Sequence, residues 1–272
     1  MTYVAIALLA GLVAGESPVP AAVAPGASAA PAAAAPAAAP QPPAPASREL
    51  RVYGPGGPLT PMRGCGERFA KAQGVRVTVD GGPEERWWSK AEQDGDVVFG
   101  GAEYMLDDLD RRRPGFIDRT TRRSLWVRPA AILVRRGNPK KVAGLADLAR
   151  PGVKLLDVNG AGQVGLWEDL AGRLGLIPDL HRNVAVTTTN TAEAIAAWRN
   201  QPELDAWITF ASWHDRLKDE TEVVELPPAE RLYRGTPVAA TRRSRHRDLA
   251  LAFIAFLGGE ECHAVFQQAG WK

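Results

Sequence analysis

The chain has 272 residues, with 33 Lys and Arg against 31 Asp and Glu, which gives a formal net charge of +2. This balance argues against a protein that binds nucleic acid through a broad basic surface. Two cysteines are too few for a disulfide-built scaffold or a cysteine-rich metal site. No apolar run reaches the roughly 18–20 residues that span a bilayer.

The first 47 residues differ in composition from the rest of the chain. Residues 1–16 form an apolar, signal-like segment without a preceding Lys or Arg, and residues 17–47 are dominated by Ala and Pro. A segment so poor in large apolar side chains cannot build a core, so we predict a disordered, extended linker. Together the two segments favour export, and we predict a periplasmic protein. The alternative is a cytosolic protein with a disordered apolar end.

Behind this linker, short apolar runs alternate with stretches of helical spacing. In chain order the predicted strands are residues 50–53, 75–79, 96–99, 129–134, 153–158, 184–188, 204–210, 223–226 and 235–241. The predicted helices between and after them are residues 62–73, 84–93, 105–112, 142–149, 165–174, 191–198, 248–256 and 260–268. Strands joined by such helices predict parallel β-α-β units, and their number favours two α/β lobes over one small sheet.

Three of the turns that lead from a strand to a helix are rich in glycine. They are residues 53–58 (YGPGGP), 99–103 (FGGAE) and 159–165 (NGAGQVG). Glycine lets the backbone approach a ligand closely, and a helix start offers free N–H groups with a partial positive charge. Since ligands of open α/β sheets bind beyond the carboxyl ends of the strands, these turns predict an anion site built from backbone donors.

The third turn also fits the G-x-G-x-x-G fingerprint of dinucleotide binding. That fingerprint requires an acidic residue at the end of the next strand, where this chain has the sequence TTTN at residues 187–190. We therefore interpret the turn as an anion site, and an α/β enzyme that uses NAD or a phosphorylated substrate is the alternative. No P-loop, G-x-S-x-G elbow or nucleophile–base pair is evident, so we expect neither enzyme activity nor a cofactor.

The chain from about residue 50 to residue 271 resembles the accessory colonization factor family of periplasmic solute-binding proteins. The segments that carry the resemblance are LRVYGPGGP (50–58), DVVFGGAE (96–103), RPAAILVRRGNP (128–139), NGAGQVGLWEDLAGR (159–173), LDAWITFASW (204–213) and VFQQAGW (265–271). That family is similar to the molybdate- and sulfate-type binding proteins of ABC importers. The resemblance implies an α/β, two-lobed type II periplasmic binding-protein fold whose hinge consists of two crossover strands. It places the first lobe at residues 48–131 plus 233–272 and the second at residues 132–232.

The resemblance further implies that a small anion is captured between the lobes. Delivery to an ABC permease in the inner membrane would follow, and the Ala/Pro linker also permits a tethered sensory or adhesion role. The anion would be a sulfate- or molybdate-like oxyanion or a small carboxylate or phosphate compound. Carried over by position, the candidate ligand-binding residues are Gly56, Gly57, Gly101, Ala102, Gly162, Gln163, Asn190, Thr191, Thr209 and Phe210. Relatives often have serine in the second turn, where this chain has Gly100 and Ala102. We therefore expect backbone N–H groups to carry more of the recognition here.

Two arginines and two cysteines complete the set of candidates. Arg128 and Arg234 lie at the predicted crossovers, where a guanidinium is equally suited to a ligand anion and to a structural Asp or Glu. Cys65 and Cys262 are the two cysteines of the chain. They could form a disulfide, which an exported protein permits, or remain two free thiols. The four histidines are scattered and predict no metal site. No nucleic-acid partner is expected, and monomer and homodimer are both open.

Overall fold

The computed structural model describes residues 48–272, so the predicted signal-like segment and Ala/Pro linker lie outside the described residues. The strands are β1 (Glu49–Gly54), β2 (Arg76–Gly81), β3 (Val97–Phe99), β4 (Arg123–Arg135), β5 (Leu155–Val158), β6 (Val184–Thr188), β7 (Ala206–Phe210), β8 (Thr221–Glu225) and β9 (Tyr233–Ala240). The helices are α1 (Leu59–Gln73), α2 (Glu84–Asp94), α3 (Glu103–Arg112), α4 (Leu145–Leu148), α5 (Leu166–Gly172), α6 (Ile177–Asn183), α7 (Thr191–Asn200), α8 (Arg247–Leu257) and α9 (Glu260–Gln268).

These strands form a curled sheet with two halves that meet at β4. The order is β2-β1-β3-β9-β4 in the first half, and β4 continues to β7, β5 and β6 in the second, with β8 also paired to β4. The first part of β4 pairs antiparallel with β9, and its second part pairs antiparallel with β7 and β8. Each half with its helices is one lobe, and β4 and β9 are the crossover strands. The predicted two-lobed α/β fold is thereby confirmed.

The first lobe covers both faces of its sheet with helices, because neighbouring residues of a strand point to opposite sides. Val97 and Phe99 of β3 lie in the core beneath α1, α8 and α9, whereas Val98 lies in the core with residues of α2 and α3. A strand buried on both faces is apolar throughout instead of alternating. This explains the unbroken apolar run at the end of residues 96–99.

The second lobe has its own core, and the first lobe is cross-linked. Trp198 and Trp207 are fully buried in a cluster of residues from β4–β7 and the helices of the second lobe. In the first lobe a disulfide joins Cys65 of α1 to Cys262 of α9, with the Cα atoms 5.5 Å apart. We keep the predicted boundaries of the lobes, at residues 131/132 and 232/233, as a proposal.

Two elements depart from the predictions. β4 begins at Arg123, six residues before the predicted start at Pro129, because its first part pairs with β9. α6 was not predicted; it is a short helix with a proline in its first turn, a position that tolerates the missing N–H group. Among residues 48–272, no single helix is long and apolar enough to cross a bilayer; α8 and α9 reach that size only together and are bent by 62°.

Candidate functional site

The three glycine-rich turns meet around one side chain, that of Arg128 on β4. A Cβ atom on Gly57 would lie 2.8 Å from Nη1 of Arg128, and Cβ atoms on Gly101 and Gly162 would lie 3.1 Å and 3.3 Å from its Nη2. Glycine at these positions therefore allows the three turns to approach the guanidinium closely. Candidates from both lobes are brought together at one place.

Arg128 is a buried cation with few polar contacts. Its side chain is 1% exposed, Nη2 donates a 3.0 Å hydrogen bond to the carbonyl oxygen of Gly101, and Nε and Nη1 have no hydrogen-bond partner among the described residues. Burial lowers the pKa of Arg128 to about 9; Tyr104 opposes this shift and the positive charge of Arg216 adds to it. The guanidinium thus has donors to spare and no carboxylate within hydrogen-bonding reach in the described part of the chain.

Two aromatic rings contact this guanidinium. Its Cζ lies 3.7 Å from the ring centroid of Phe210, at the end of β7, and 5.4 Å from that of Trp271, next to the C-terminal residue. A cation near an aromatic ring is stabilised by the ring quadrupole. Phe210, a predicted ligand-binding residue, therefore lies against Arg128 and does not line the neighbouring cavity.

A cavity of about 230 Å³ lies between the lobes; Arg128 is not among its lining residues, but Gly57, which approaches the guanidinium, is. Its lining consists of Gly56, Gly57, Leu59, Gly81, Gly82, Pro83, Arg86, Ala161, Asn190, Thr191, Ala192, Ile195, Trp213 and Arg216. Helices α1, α2 and α7 each begin at this lining, so their partial positive charges face the same space. At the start of α7, Asn190 accepts a 3.0 Å hydrogen bond from the N–H of Glu193 and so caps the helix.

Hydrogen bonds also join the two lobes directly. The N–H of Val164 in the second lobe donates to Oη of Tyr104 in the first at 3.1 Å. Nη2 of Arg216 in the second lobe donates to the carbonyl oxygen of Gly56 at 3.1 Å and to Oγ1 of Thr60 at 3.2 Å. Burial raises the pKa of the Tyr104 hydroxyl, which favours its neutral form. The lobes are therefore closed on one another.

The predicted residues divide into several groups by position. Four of them line the cavity: Gly56, Gly57, Asn190 and Thr191. Gly101 and Gly162 approach Arg128, while the adjacent Gln163 is buried and donates from Nε2 to Oγ1 of Thr191 at 3.3 Å. Ala102 is buried immediately before α3.

The remaining two candidates stay outside this arrangement. Thr209 is fully buried on β7 and its hydroxyl has no hydrogen-bond partner among the described residues, but it does not line the cavity. Arg234 forms an ion pair with Asp169 of α5, with Nη2 and Oδ2 2.6 Å apart. The sequence left two roles open for each arginine, a contact to a ligand anion or an ion pair with a structural acid. Arg234 has such an acidic partner, whereas Arg128 has none in the described part of the chain.

Sequence reasoning missed part of the cavity lining. Gly81 at the end of β2 and Gly82 after it form a further glycine turn before α2, and the Gly-Gly-Pro sequence after a predicted strand is a signal that could have revealed it. Arg216 ends a short 3-10 turn after β7, and no motif marks it. Among residues 48–272, no group of three His, Cys, Asp or Glu side chains is placed to hold a metal ion.

Residues 50–272 match the model of the bacterial extracellular solute-binding proteins. The chain belongs to this family. Among solved structures, PEB3 with bound L-phospholactate is similar to this solute-binding protein, with a TM-score of 0.75 and 29% identity over 82% of this chain and 99% of that one. Peb3 from Campylobacter jejuni is 30% identical, with a TM-score of 0.74 and the same coverage of 82% and 99%.

A further relative is a sulfate-binding protein from Synechococcus elongatus. It is 23% identical over 201 residues, which amount to 65% of this chain. The match spans 57% of the length of that relative. The sequence motifs indicated membership in a solute-binding family, and the family match confirms it.

Proposed function

We propose that this solute-binding protein captures a small anion between its lobes, with Arg128 as the counter-charge, and delivers it to an ABC permease. The observation that carries this proposal is the buried guanidinium of Arg128, whose Nε and Nη1 have no partner among the described residues. An ion taken out of water without compensation costs several kcal/mol. An anion bound at the converging turns would pair with this charge and use the spare N–H donors.

The cavity favours an organic anion with more than one acidic group. One water occupies roughly 30 Å³ in the liquid. The cavity volume of about 230 Å³ is several times larger, and it is more than a single tetrahedral oxyanion needs. Arg86 and Arg216 add two cations to the lining, and burial together with nearby Arg63 lowers the pKa of Arg216. Structurally similar PEB3 holds L-phospholactate, a phosphate and a carboxylate on one small molecule.

An inorganic oxyanion is the second candidate. It is supported by the relative named as a sulfate-binding protein and by turns that expose backbone N–H groups at helix starts, which bind tetrahedral oxyanions without a basic side chain. In either case closure of the lobes removes water and strengthens each of these interactions. We place the protein in the periplasm, and we propose that it binds and releases its ligand without chemical turnover.

The test is ligand binding by protein from which co-purified solute has been removed by unfolding and refolding. Thermal unfolding is followed with L-phospholactate, citrate, phosphate, sulfate and molybdate, each at saturating concentration. A ligand at a hundred times its Kd adds about 2.7 kcal/mol of stability, which for a body of this size raises Tm by roughly 5–10 °C. We expect the largest increase with L-phospholactate.

The outcomes of this thermal unfolding test, together with two further measurements, decide between the proposals. Absence of stabilisation by all five anions contradicts anion capture. A rise with sulfate or molybdate alone favours the inorganic candidate. Saturable binding of NADH supports the enzyme alternative, because the third glycine turn fits a dinucleotide fingerprint. Fractionation of cells that express the full chain tests the periplasmic location.

A further inference from the structure

The C-terminal end of the chain lies against the proposed site. Trp271 is 3% exposed, and its Nε1 donates a 2.9 Å hydrogen bond to Oγ1 of the fully buried Thr236 on β9. The ring of Phe266 packs edge-on against the Trp271 ring, with the centroids 5.7 Å apart. These contacts fix the indole in one orientation, with its ring centroid 5.4 Å from Cζ of Arg128.

The last residue fixes the backbone beside Arg128. The N–H of Lys272 donates to the carbonyl oxygen of Val127 at 2.7 Å, and the N–H of Val127 donates back to the carbonyl oxygen of Lys272 at 3.0 Å. Val127 immediately precedes Arg128, at a point where the register of β4 against β9 is irregular. Lys272 therefore supplies hydrogen bonds to β4 where its pairing with β9 is irregular.

The same segment is tied to the first glycine turn. The disulfide joins α9, which precedes Trp271, to α1, which follows the turn with Gly57. Trp271 and Gly57 also line a shared cavity of about 170 Å³. Two of the first-lobe groups that bound Arg128, Trp271 and Gly57, thus belong to one cross-linked unit.

We propose that Trp271 is a positioning residue, which holds the guanidinium of Arg128 in the orientation that receives the ligand anion. This inference rests on the proposed anion capture. A guanidinium with a single hydrogen bond, to the carbonyl oxygen of Gly101, has few fixed points of its own. The rings of Trp271 and Phe210 restrict it, so that less side-chain entropy is lost when the anion binds. A residue that only fills the core would contribute to stability and not to this orientation.

A double-mutant cycle on ligand affinity separates these two roles. The affinities of wild type, W271L, R128K and the double variant are measured by isothermal titration calorimetry with L-phospholactate, or with sulfate if the wild type binds only inorganic oxyanions. R128K keeps the charge and removes the planar guanidinium that the indole orients. We expect W271L to weaken binding about tenfold in the wild-type background and less than threefold in the R128K background.

Two control variants address stability and hydrogen bonding. F253L removes a buried aromatic ring of the first lobe that packs on Phe69 and lies outside the site, so it should lower Tm and leave the affinity within twofold. T236V keeps the indole and removes its hydrogen bond, so it should give an intermediate loss of affinity.

Equal losses from W271L in both Arg128 backgrounds, or an unchanged affinity in W271L, overturn the positioning role. Absence of anion binding by the wild type instead refutes the proposed function, and the positioning role with it.

Discussion

Replacing Arg128 with methionine should abolish anion binding without destabilising the ligand-free protein. The side chain is 1% exposed and has no carboxylate partner among residues 48–272. A buried charge with this environment costs stability, and an apolar residue of similar length removes that cost. The proposed site would thus trade stability for function.

The magnitude follows from the balance between the burial of the guanidinium and its contacts. Burial lowers the pKa of Arg128 to about 9, and taking such an ion out of water costs several kcal/mol, about 5 kcal/mol for a fully buried group. The charged hydrogen bond to Gly101 returns about 2 kcal/mol, and the ring of Phe210 returns about 2 kcal/mol more. We therefore expect R128M to raise the free energy of unfolding by about 1 kcal/mol.

Urea unfolding of ligand-free protein measures this change, and Arg135 on the same strand is the matched control. The Arg135 side chain donates to the carbonyl oxygens of Leu204, Trp198 and Gln201 and lies 3.9 Å over the Trp198 ring. R135M should therefore lower the free energy of unfolding by about 2–4 kcal/mol. If R128M lowers the free energy of unfolding by about 2 kcal/mol or more, the interpretation of Arg128 as an uncompensated charge is refuted.

Three further predictions concern the surroundings of the site. G57A should weaken anion binding at least tenfold in calorimetry, because its Cβ would lie 2.8 Å from Nη1 of Arg128. G56A is the control and should have a smaller effect, since its Cβ would meet no atom closer than 3.7 Å. Equal losses of affinity in the two variants would contradict this prediction. Y104F removes a hydrogen bond between the lobes and should raise Kd about two- to tenfold, and an unchanged Kd would show that this contact does not support closure. Reduction of the disulfide between α1 and α9 should lower the free energy of unfolding by about 2–5 kcal/mol in urea titrations with and without reductant, and coincident curves would argue against a stabilising cross-link.

The sequence predicts much of this fold because its central strands are buried on both faces. The apolar runs at residues 96–99 and 204–210 coincide with β3 and β7, and the glycine turns mark where strands end. The first part of β4 escaped prediction because Arg123 and Ser124 are exposed, and their extended conformation depends on pairing with β9, more than a hundred residues later. A pattern within a short window holds no information on such a partner.

The site was predictable in its location and less so in its charges. The turns identify themselves by glycine, yet Arg128 and Arg234 look alike in sequence and differ in the structure only through distant neighbours. Asp169 of α5 reaches Arg234, while three glycine turns and two aromatic rings enclose Arg128. The role of Arg216 likewise depends on contacts across the cleft, with Gly56 and Thr60.

The position of β9 between β3 and β4 has a consequence for the order of folding. β3 and β4 do not pair with each other, so the sheet of the first lobe stays interrupted until residues 233–240 have been synthesised. The second lobe, whose strands β5 to β8 all lie within residues 155–225, can assemble without these residues. Until the last 40 or so residues appear, β3 and the first part of β4 present bare hydrogen-bonding edges.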